Sequence, residues 1–195
     1  EGVRNTIEGN AEILAWIRGE RSIFVETEKR RGNITVVDFD HPANNVFHVT
    51  EEWEYTNGRH TNRADVLFLI NGIPVAIVET KSARREEGIE EGLVQIRRYH
   101  RETPEMLTAP QIFDITHLID FFYGVTWNMD RKNVFRWKSE QRESFEQTVK
   151  RFFARARFLK LLRDWILFVT RDDELRKIVL RQHQTRAVEK IVERS

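Results

Sequence analysis

Asp65, Glu79 and Lys81 stand inside the most apolar stretch of the chain, residues 64–81, which reads ADVLFLINGIPVAIVETK. Strands this rich in Val, Ile, Leu and Phe are buried on at least one face, and an isolated buried charge is costly. Two carboxylates and an ammonium placed there need one another, a bound cation or an open cleft. Carboxylate oxygens beside a lysine suit metal-assisted hydrolysis of a phosphodiester, with Mg2+ held by hard oxygen donors.

Register decides whether that chemistry assembles. Side chains alternate along a strand, so Glu79 and Lys81 share a face. Asn71-Gly72 between two apolar runs predicts a hairpin turn. A two-residue turn pairs Ile70 with Ile73 and sets Asp65 opposite Val78. A three-residue loop, Asn71-Gly72-Ile73, pairs Ile70 with Pro74 and sets Asp65 opposite Glu79, with Cβ atoms roughly 5 Å apart. A bulge has the same effect. In that arrangement Asp65, Glu79 and the Thr80 backbone carbonyl are ligands for Mg2+. Lys81 then orients the attacking water or stabilises charge on the phosphoryl oxygens. The alternative is an edge strand whose polar face carries Glu79, Thr80 and Lys81, with Asp65 capping a turn. The short pattern leaves both open.

Patterning elsewhere predicts an α/β fold. A helix with Val3, Ile7, Leu14 and Ile17 on one stripe ends near Gly19. Strands are expected at Ile34–Phe39, at Val46–Tyr55 and on either side of Asn71-Gly72. A helix over Glu86–Arg101 precedes Pro104, and Ile119–Thr126 with Asn133–Lys138 suggest a further strand pair. After residue 140 the period is helical, with Phe145, Val149, Phe152, Ala156, Leu159, Leu162 and Ile166 on a stripe expected to pack on the preceding part or on neighbouring sequence. The expected architecture is a mixed central sheet flanked by helices, followed by a helical segment.

The near-neutral net charge of +1 hides a split. Residues 1–130 carry 14 Lys/Arg against 22 Asp/Glu, and residues 131–195 carry 18 against 9. Such a split suits a metal site beside a nucleic-acid-facing surface, or two differently solvated helical faces. The absence of cysteine excludes disulfides and thiolate metal sites and fits a reducing, cytoplasmic setting. No apolar run approaches the ~18 residues of a membrane span. The six histidines show no ligand spacing. A chain beginning Glu-Gly is expected to be a piece of something longer.

Gly88, Gly92, Gln95 and Tyr99 fall on one stripe of the expected second helix, beside the apolar stripe of Ile89, Leu93 and Ile96. Glycine in a helix interior costs about 1 kcal/mol against alanine, so two of them imply a close approach by sheet or substrate. Arg84, Arg85, Arg97, Arg98 and Arg101 are near enough in sequence to meet a phosphate backbone. Ordinary surface arginines on a half-exposed helix are the competing reading.

Taken together, Asn62-Arg63-Ala64-Asp65, Leu69-Ile70-Asn71-Gly72-Ile73-Pro74 and Val78-Glu79-Thr80-Lys81 closely resemble the nuclease core of the PD-(D/E)xK superfamily. Gln95-Ile96-Arg97-Arg98-Tyr99 is similar to the Q-x-x-x-Y motif after that core in the R subunit of type I restriction–modification enzymes. The strand Asn45–Val49 and Phe135–Lys138 also resemble that subunit, and the likeness spans nearly the whole chain. One departure is Ala64, which stands where the superfamily pattern has proline.

The resemblance implies cleavage of double-stranded DNA, with Asp65 and Glu79 binding Mg2+ (or Mn2+ in its place) and Lys81 catalytic. Gln95 and Tyr99 would support DNA engagement or cleavage, with Arg63, Arg84 and Arg85 near the substrate. Glu8 or Glu12 on the first helix would be a further metal ligand. Residues 1–138 would be the nuclease-like domain, 139–180 a helical linker and 181–195 the start of a helicase-like motor. Gln184 would match that motor's adenine-reading glutamine. No G-K-[S/T] phosphate loop follows in this chain, so ATP concerns only the motor that lies beyond it. Implied partners are DNA and the modification and specificity subunits, with no membrane. A binding module that does not cut, a scaffold for the motor and a repair-type nuclease of the same superfamily are the alternatives.

Overall fold

The computed structural model describes residues 6–81, 88–117, 120–138 and 144–192. Helix α1 (Ile7–Ile17) begins at Thr6, whose hydroxyl accepts the Gly9 N–H at 3.2 Å. A small hairpin, β1 (Ser22–Val25) with β2 (Arg30–Asn33), follows. Residues 34–39, expected as a strand, form a loop instead. Asp38 accounts for this, since its carboxylate accepts the N–H groups of Asp40 and His41 and competes with ladder formation.

The central sheet has six strands, β3 (Phe47–Thr56), β4 (Thr61–Ile70), β5 (Ile73–Lys81), β6 (Ile112–His117), β7 (Asp120–Val125) and β8 (Phe135–Arg136), in that spatial order. Every neighbouring pair is antiparallel except β5 and β6, which run parallel. Helix α2 (Gly88–Glu102) lies between those two in sequence, as a crossover between parallel strands requires. The mixed sheet flanked by helices is the expected architecture. Strand β6 adds to the expected set: it is central and covered on both faces, so Asp114 and Thr116 break the apolar alternation that marks a half-buried strand.

Two apolar clusters cover the two faces. Under α2 lie Ala64, Leu67, Ile77, Leu93, Ile96, Phe113 and Ile115, with Tyr99 among them. The other face carries Ile70, Val75, Ala76, Phe121 and Tyr123 beneath α1, α3 (Phe145–Phe152) and α4 (Arg155–Lys160). Of the expected helical stripe, Phe145, Val149, Phe152, Leu159, Leu162 and Ile166 all join this second cluster. The stripe therefore packs on the sheet. Full burial of each such side chain contributes roughly 1.5–3 kcal/mol.

The helical expectation for residues 139–180 holds only in part. After a π-helical stretch, Leu161–Trp165, the chain forms a hairpin of β9 (Ile166–Arg171) and β10 (Glu174–Val179) before α5 (Gln182–Val192). Asp172 and Asp173 both take positive φ, 53° and 61°, in the two-residue turn between Arg171 and Glu174. That conformation is the hairpin signature of Asp, Asn and Gly pairs. The hairpin is pinned by Lys177, a wholly buried side chain whose Nζ lies 2.6 Å from Asn10 Oδ1, 2.7 Å from Gln111 O and 3.0 Å from Thr126 Oγ1, and whose pKa burial pushes well below the usual lysine value. Among the described residues no helix is long and apolar enough to cross a membrane.

Candidate active site

The hairpin of β4 and β5 turns at Asn71 and Gly72, with φ of 51° and 82°, and pairs Ile70 with Ile73. The three-residue loop is thus excluded, and the bulge takes its place. Leu69 pairs with Pro74, but Phe68 already pairs with Ala76, leaving Val75 as the extra residue. The Val75 carbonyl turns to the next strand and accepts the Gln111 N–H at 2.9 Å. Beyond this bulge the register is Leu67 with Ile77 and Val66 with Val78, so Asp65 comes level with Glu79.

There the two strands part. Asp65 Oδ2 accepts the Thr80 N–H at 2.7 Å and its hydroxyl at 2.9 Å. Across from Asp65, Glu52 takes an uncommon φ of 52° between the pairs Glu51–Val66 and Trp53–Ala64. Ala64 and Leu67 both face the cluster under α2, so strict alternation is broken across Asp65 and Val66. The Thr80 side chain, which sequence reasoning passed over, positions Asp65.

Glu79 is completely buried. Its Oε2 accepts from Lys81 Nζ at 3.2 Å, and its Oε1 lies 2.8 Å from the Tyr99 hydroxyl. Lys81 Nζ also donates to Gln95 Oε1, and Gln95 Nε2 donates to the Tyr99 hydroxyl at 2.6 Å. Tyr99 thereby sits between Glu79 and the Arg63 carbonyl, 2.5 Å away. Burial first, and then the Asp65 charge, raise the Glu79 carboxyl from 4.5 to about 7, although Tyr99 and Lys81 pull the other way. The single phenol proton serves one of its two acceptors. When it goes to Arg63, the short contact with Glu79 is satisfied by a proton on the carboxyl, which a value near neutrality allows.

The close approach foreseen at the helix glycines is to β6. A Cβ added at Gly92 would lie 2.6 Å from Ile115 Cγ2, and one at Gly88 would lie 2.3 Å from His117 Cδ2. Both glycines let α2 settle low on the sheet, and that depth brings Gln95 and Tyr99 within reach of Lys81 and Glu79. The hollow beside these groups has a volume of about 380 Å3 and is lined in part by Asn62, Arg63, Asp65, Gln95 and Arg98.

Other expected residues lie elsewhere. Glu8 stands at the start of α1, whose Asn10 amide is tied to Thr108 O at 2.9 Å and Pro110 O at 3.0 Å. Those contacts place α1 by the beginning of β6, whereas Glu79 pairs with Ile115 toward its end. Glu12 is engaged by Arg21 at 2.7 Å. Among the described residues no group of three or more His, Asp or Glu is placed to hold a metal. Arg84 and Arg85 lie outside the described residues. Arg63 pairs with Glu52 at 3.2 Å, Arg97 donates to Met129 O at 2.9 Å and Arg101 pairs with Glu102 at 3.2 Å. Gln184 Oε1 accepts the Arg181 N–H at 2.8 Å and so caps α5.

The carboxylate pair is the set that could hold a divalent cation. Two oxygen donors repel one another at the end of a bulged hairpin, and one of them is held near neutrality by burial and by its neighbour's charge. A cation at that point relieves both penalties.

Comparison with known proteins bears on the family of the chain. The family model described as "Type I restriction enzyme R protein N terminus" matches residues 2–176. A Methanocaldococcus jannaschii protein, named as the endonuclease subunit of the MjaVIIIP type I restriction enzyme, is 30% identical over 94% of the chain and 18% of its own length. The Escherichia coli EcoprrI type I restriction enzyme endonuclease subunit is 28% identical over 87% of the chain and 56% of its own length. The chain thus spans under two thirds of these relatives.

Proposed function

The chain belongs to the family of type I restriction enzyme R protein N termini, and we propose that it is the Mg2+-dependent endonuclease part of an ATP-driven restriction complex, cutting double-stranded DNA. The observation that carries this reading is the joined set Asp65, Glu79 and Lys81, held on one bulged hairpin and tied to α2 through Gln95 and Tyr99. Asp65, Glu79 and the Thr80 carbonyl would hold Mg2+, with Mn2+ able to substitute. When bound, the ion supplies a water of lowered pKa and charge stabilisation for the phosphoryl group.

The side chains of this chain have separate tasks. Thr80 fixes Asp65 through its N–H and hydroxyl. Tyr99 holds the Glu79 carboxyl in one orientation. Gln95 holds Lys81 beside Glu79, where its ammonium can meet charge growing on a phosphate oxygen. Arg63 and Arg98 line the adjoining hollow, placed for a DNA backbone. ATP, the adenine contact expected of Gln184 and the modification and specificity subunits belong to the remainder of the complex in this reading.

Lys81→Ala in the complete complex tests it. The substitution should abolish cleavage while DNA binding and ATP-driven translocation persist. Cutting at the normal rate by that variant would falsify the assignment. Calorimetry with Mn2+ adds an independent readout, because Asp65→Asn should remove the ion's binding isotherm.

A further inference from the structure

The far edge of the sheet carries a basic trough that the active site does not use. Arg131, Arg136, Lys138, Arg181, His183 and Arg186 line a hollow of about 490 Å3, with no carboxylate among the described residues that line it. A second hollow of about 330 Å3 continues it, sharing Lys138 and Arg186 and adding Arg151, Arg157 and Lys190, with Glu189 as the one carboxylate among the described residues that line it. The excess of Lys and Arg in residues 131–195 is concentrated here, on a concave surface.

Two features suit this surface to phosphates. The guanidinium of Arg181 lies 4.8 Å over the Phe135 ring and that of Arg131 lies 5.6 Å over Phe122, so both cations are held on aromatic faces at the rim. Arg131 and Arg136 are further fixed by Glu90 and Asp120, whereas Lys138 and Arg181 make no ion pair among the described residues.

One trough residue, Arg136, shares a rung with the candidate site, while Arg181, over Phe135, stands on the other side of the sheet edge, so that the trough wraps that edge. The ladder runs from Glu79 to Ile115, on to Phe122 and then to Arg136, one rung of four strands. Paired residues of a rung share a face, so Arg136 leaves the sheet on the side that carries Glu79. Three strand spacings separate them, about 14 Å. Duplex DNA carries one charge per ~1.7 Å of its axis, so one bound duplex can span that distance with many phosphates.

We propose that this trough binds the phosphate backbone of the same DNA duplex whose strand is presented to Asp65, Glu79 and Lys81. The proposal rests on the nuclease reading for the identity of the ligand, but its test does not require cleavage. Binding of a fluorescent duplex to the whole chain is measured in EDTA across a salt series, for wild type, the double variant Lys138→Glu/Arg181→Glu and the retaining variant Lys138→Arg/Arg181→Lys.

The double reversal should weaken binding at least tenfold and reduce the slope of log K against log salt by about two, at ~0.9 per phosphate contact. The retaining variant should bind like wild type. Unchanged affinity and slope in the double reversal overturn the proposal, whether or not the protein cuts DNA. Cleavage is read separately, with Mg2+ and the complete complex, so that loss of binding in EDTA bears on the trough and loss of cleavage by Lys81→Ala bears on the nuclease reading. If the reversal leaves DNA binding untouched and instead releases another subunit of the complex, the trough faces an acidic protein surface and the proposal fails.

Discussion

Tyr99 Oη on helix α2 lies 2.8 Å from Glu79 Oε1 on strand β5, and the same oxygen is 2.5 Å from the Arg63 carbonyl on β4. One phenol thus joins a helix to the two strands that carry the candidate metal ligands. Tyr99→Phe keeps the ring in its apolar cluster and removes only the bridging oxygen. The Glu79, Gln95 and Arg63 groups are then left short of a partner in a buried setting, which costs about 1–3 kcal/mol. Denaturant titration should show that loss. Cleavage by the complex should fall at least tenfold, because Glu79 is freed to turn. Wild-type activity with wild-type stability would show that the bridge is incidental.

Helix α2 can bridge in this way because it lies so close to β6. Gly92→Ala gains about 1 kcal/mol of helix propensity, yet its Cβ would meet Ile115 Cγ2 at 2.6 Å. Ile115 is β-branched, buried and central, so the helix must lift. Overpacking of this kind costs about 1–3 kcal/mol. The variant should be less stable, and less active than its stability alone explains. A double-mutant cycle with Ile115→Ala checks the cause. The two losses should combine to less than their sum, and strict additivity would mean that the contact does not set the height of the helix.

Much of this site was legible in the residues. The NG turn, the charges misplaced in an apolar hairpin and the glycine stripe beside Gln95 and Tyr99 each have a local physical reason. Alternation could not supply the bulge at Val75, because the bulge depends on where the next strand offers Gln111 N–H as a partner. Thr80 was read for its carbonyl, and the hold of its side chain on Asp65 needs the two strands to part. The hairpin at 166–179 was missed for a different reason. Its apolar residues follow the helical stripe of α3 and α4 without a break, and the marking pair is Asp172-Asp173, a less familiar turn than Asn-Gly. Lys177 gave no signal either, since its three acceptors come from α1, the segment before β6 and the end of β7.

That lysine makes a direct test of the hairpin's attachment. Lys177→Met fills similar space but leaves Asn10 Oδ1 without its donor, while Gln111 O keeps the Thr126 N–H at 3.2 Å and Thr126 Oγ1 still donates to Pro110 O at 2.7 Å. With that one group stranded, the variant should lose about 1–3 kcal/mol. Hydrogen exchange should rise first in residues 166–179 and in α1. Uniform destabilisation, with no local gain in exchange over the hairpin, would show that its apolar contacts suffice to hold it.

Asp114 supplies a pH-dependent test away from the active site. It sits wholly buried on β6, and both carboxylate oxygens lack a hydrogen-bond partner among the described residues. Burial alone holds its carboxyl well above the ordinary 3.8. The sign follows from proton counting. Between the unfolded value near 3.8 and the raised folded value, the native chain keeps a proton that the unfolded chain has lost. Stability from this group is therefore fully present in acid and declines as pH rises, at about 1.4 kcal/mol per pH unit across that window. Asp114→Asn keeps the shape and cannot ionise. Urea unfolding at pH 5 and pH 8 should show the variant gaining on wild type by more than about 1.4 kcal/mol as pH rises. Parallel stability curves for the two proteins would mean that Asp114 finds a partner in solution and is not the isolated acid described here.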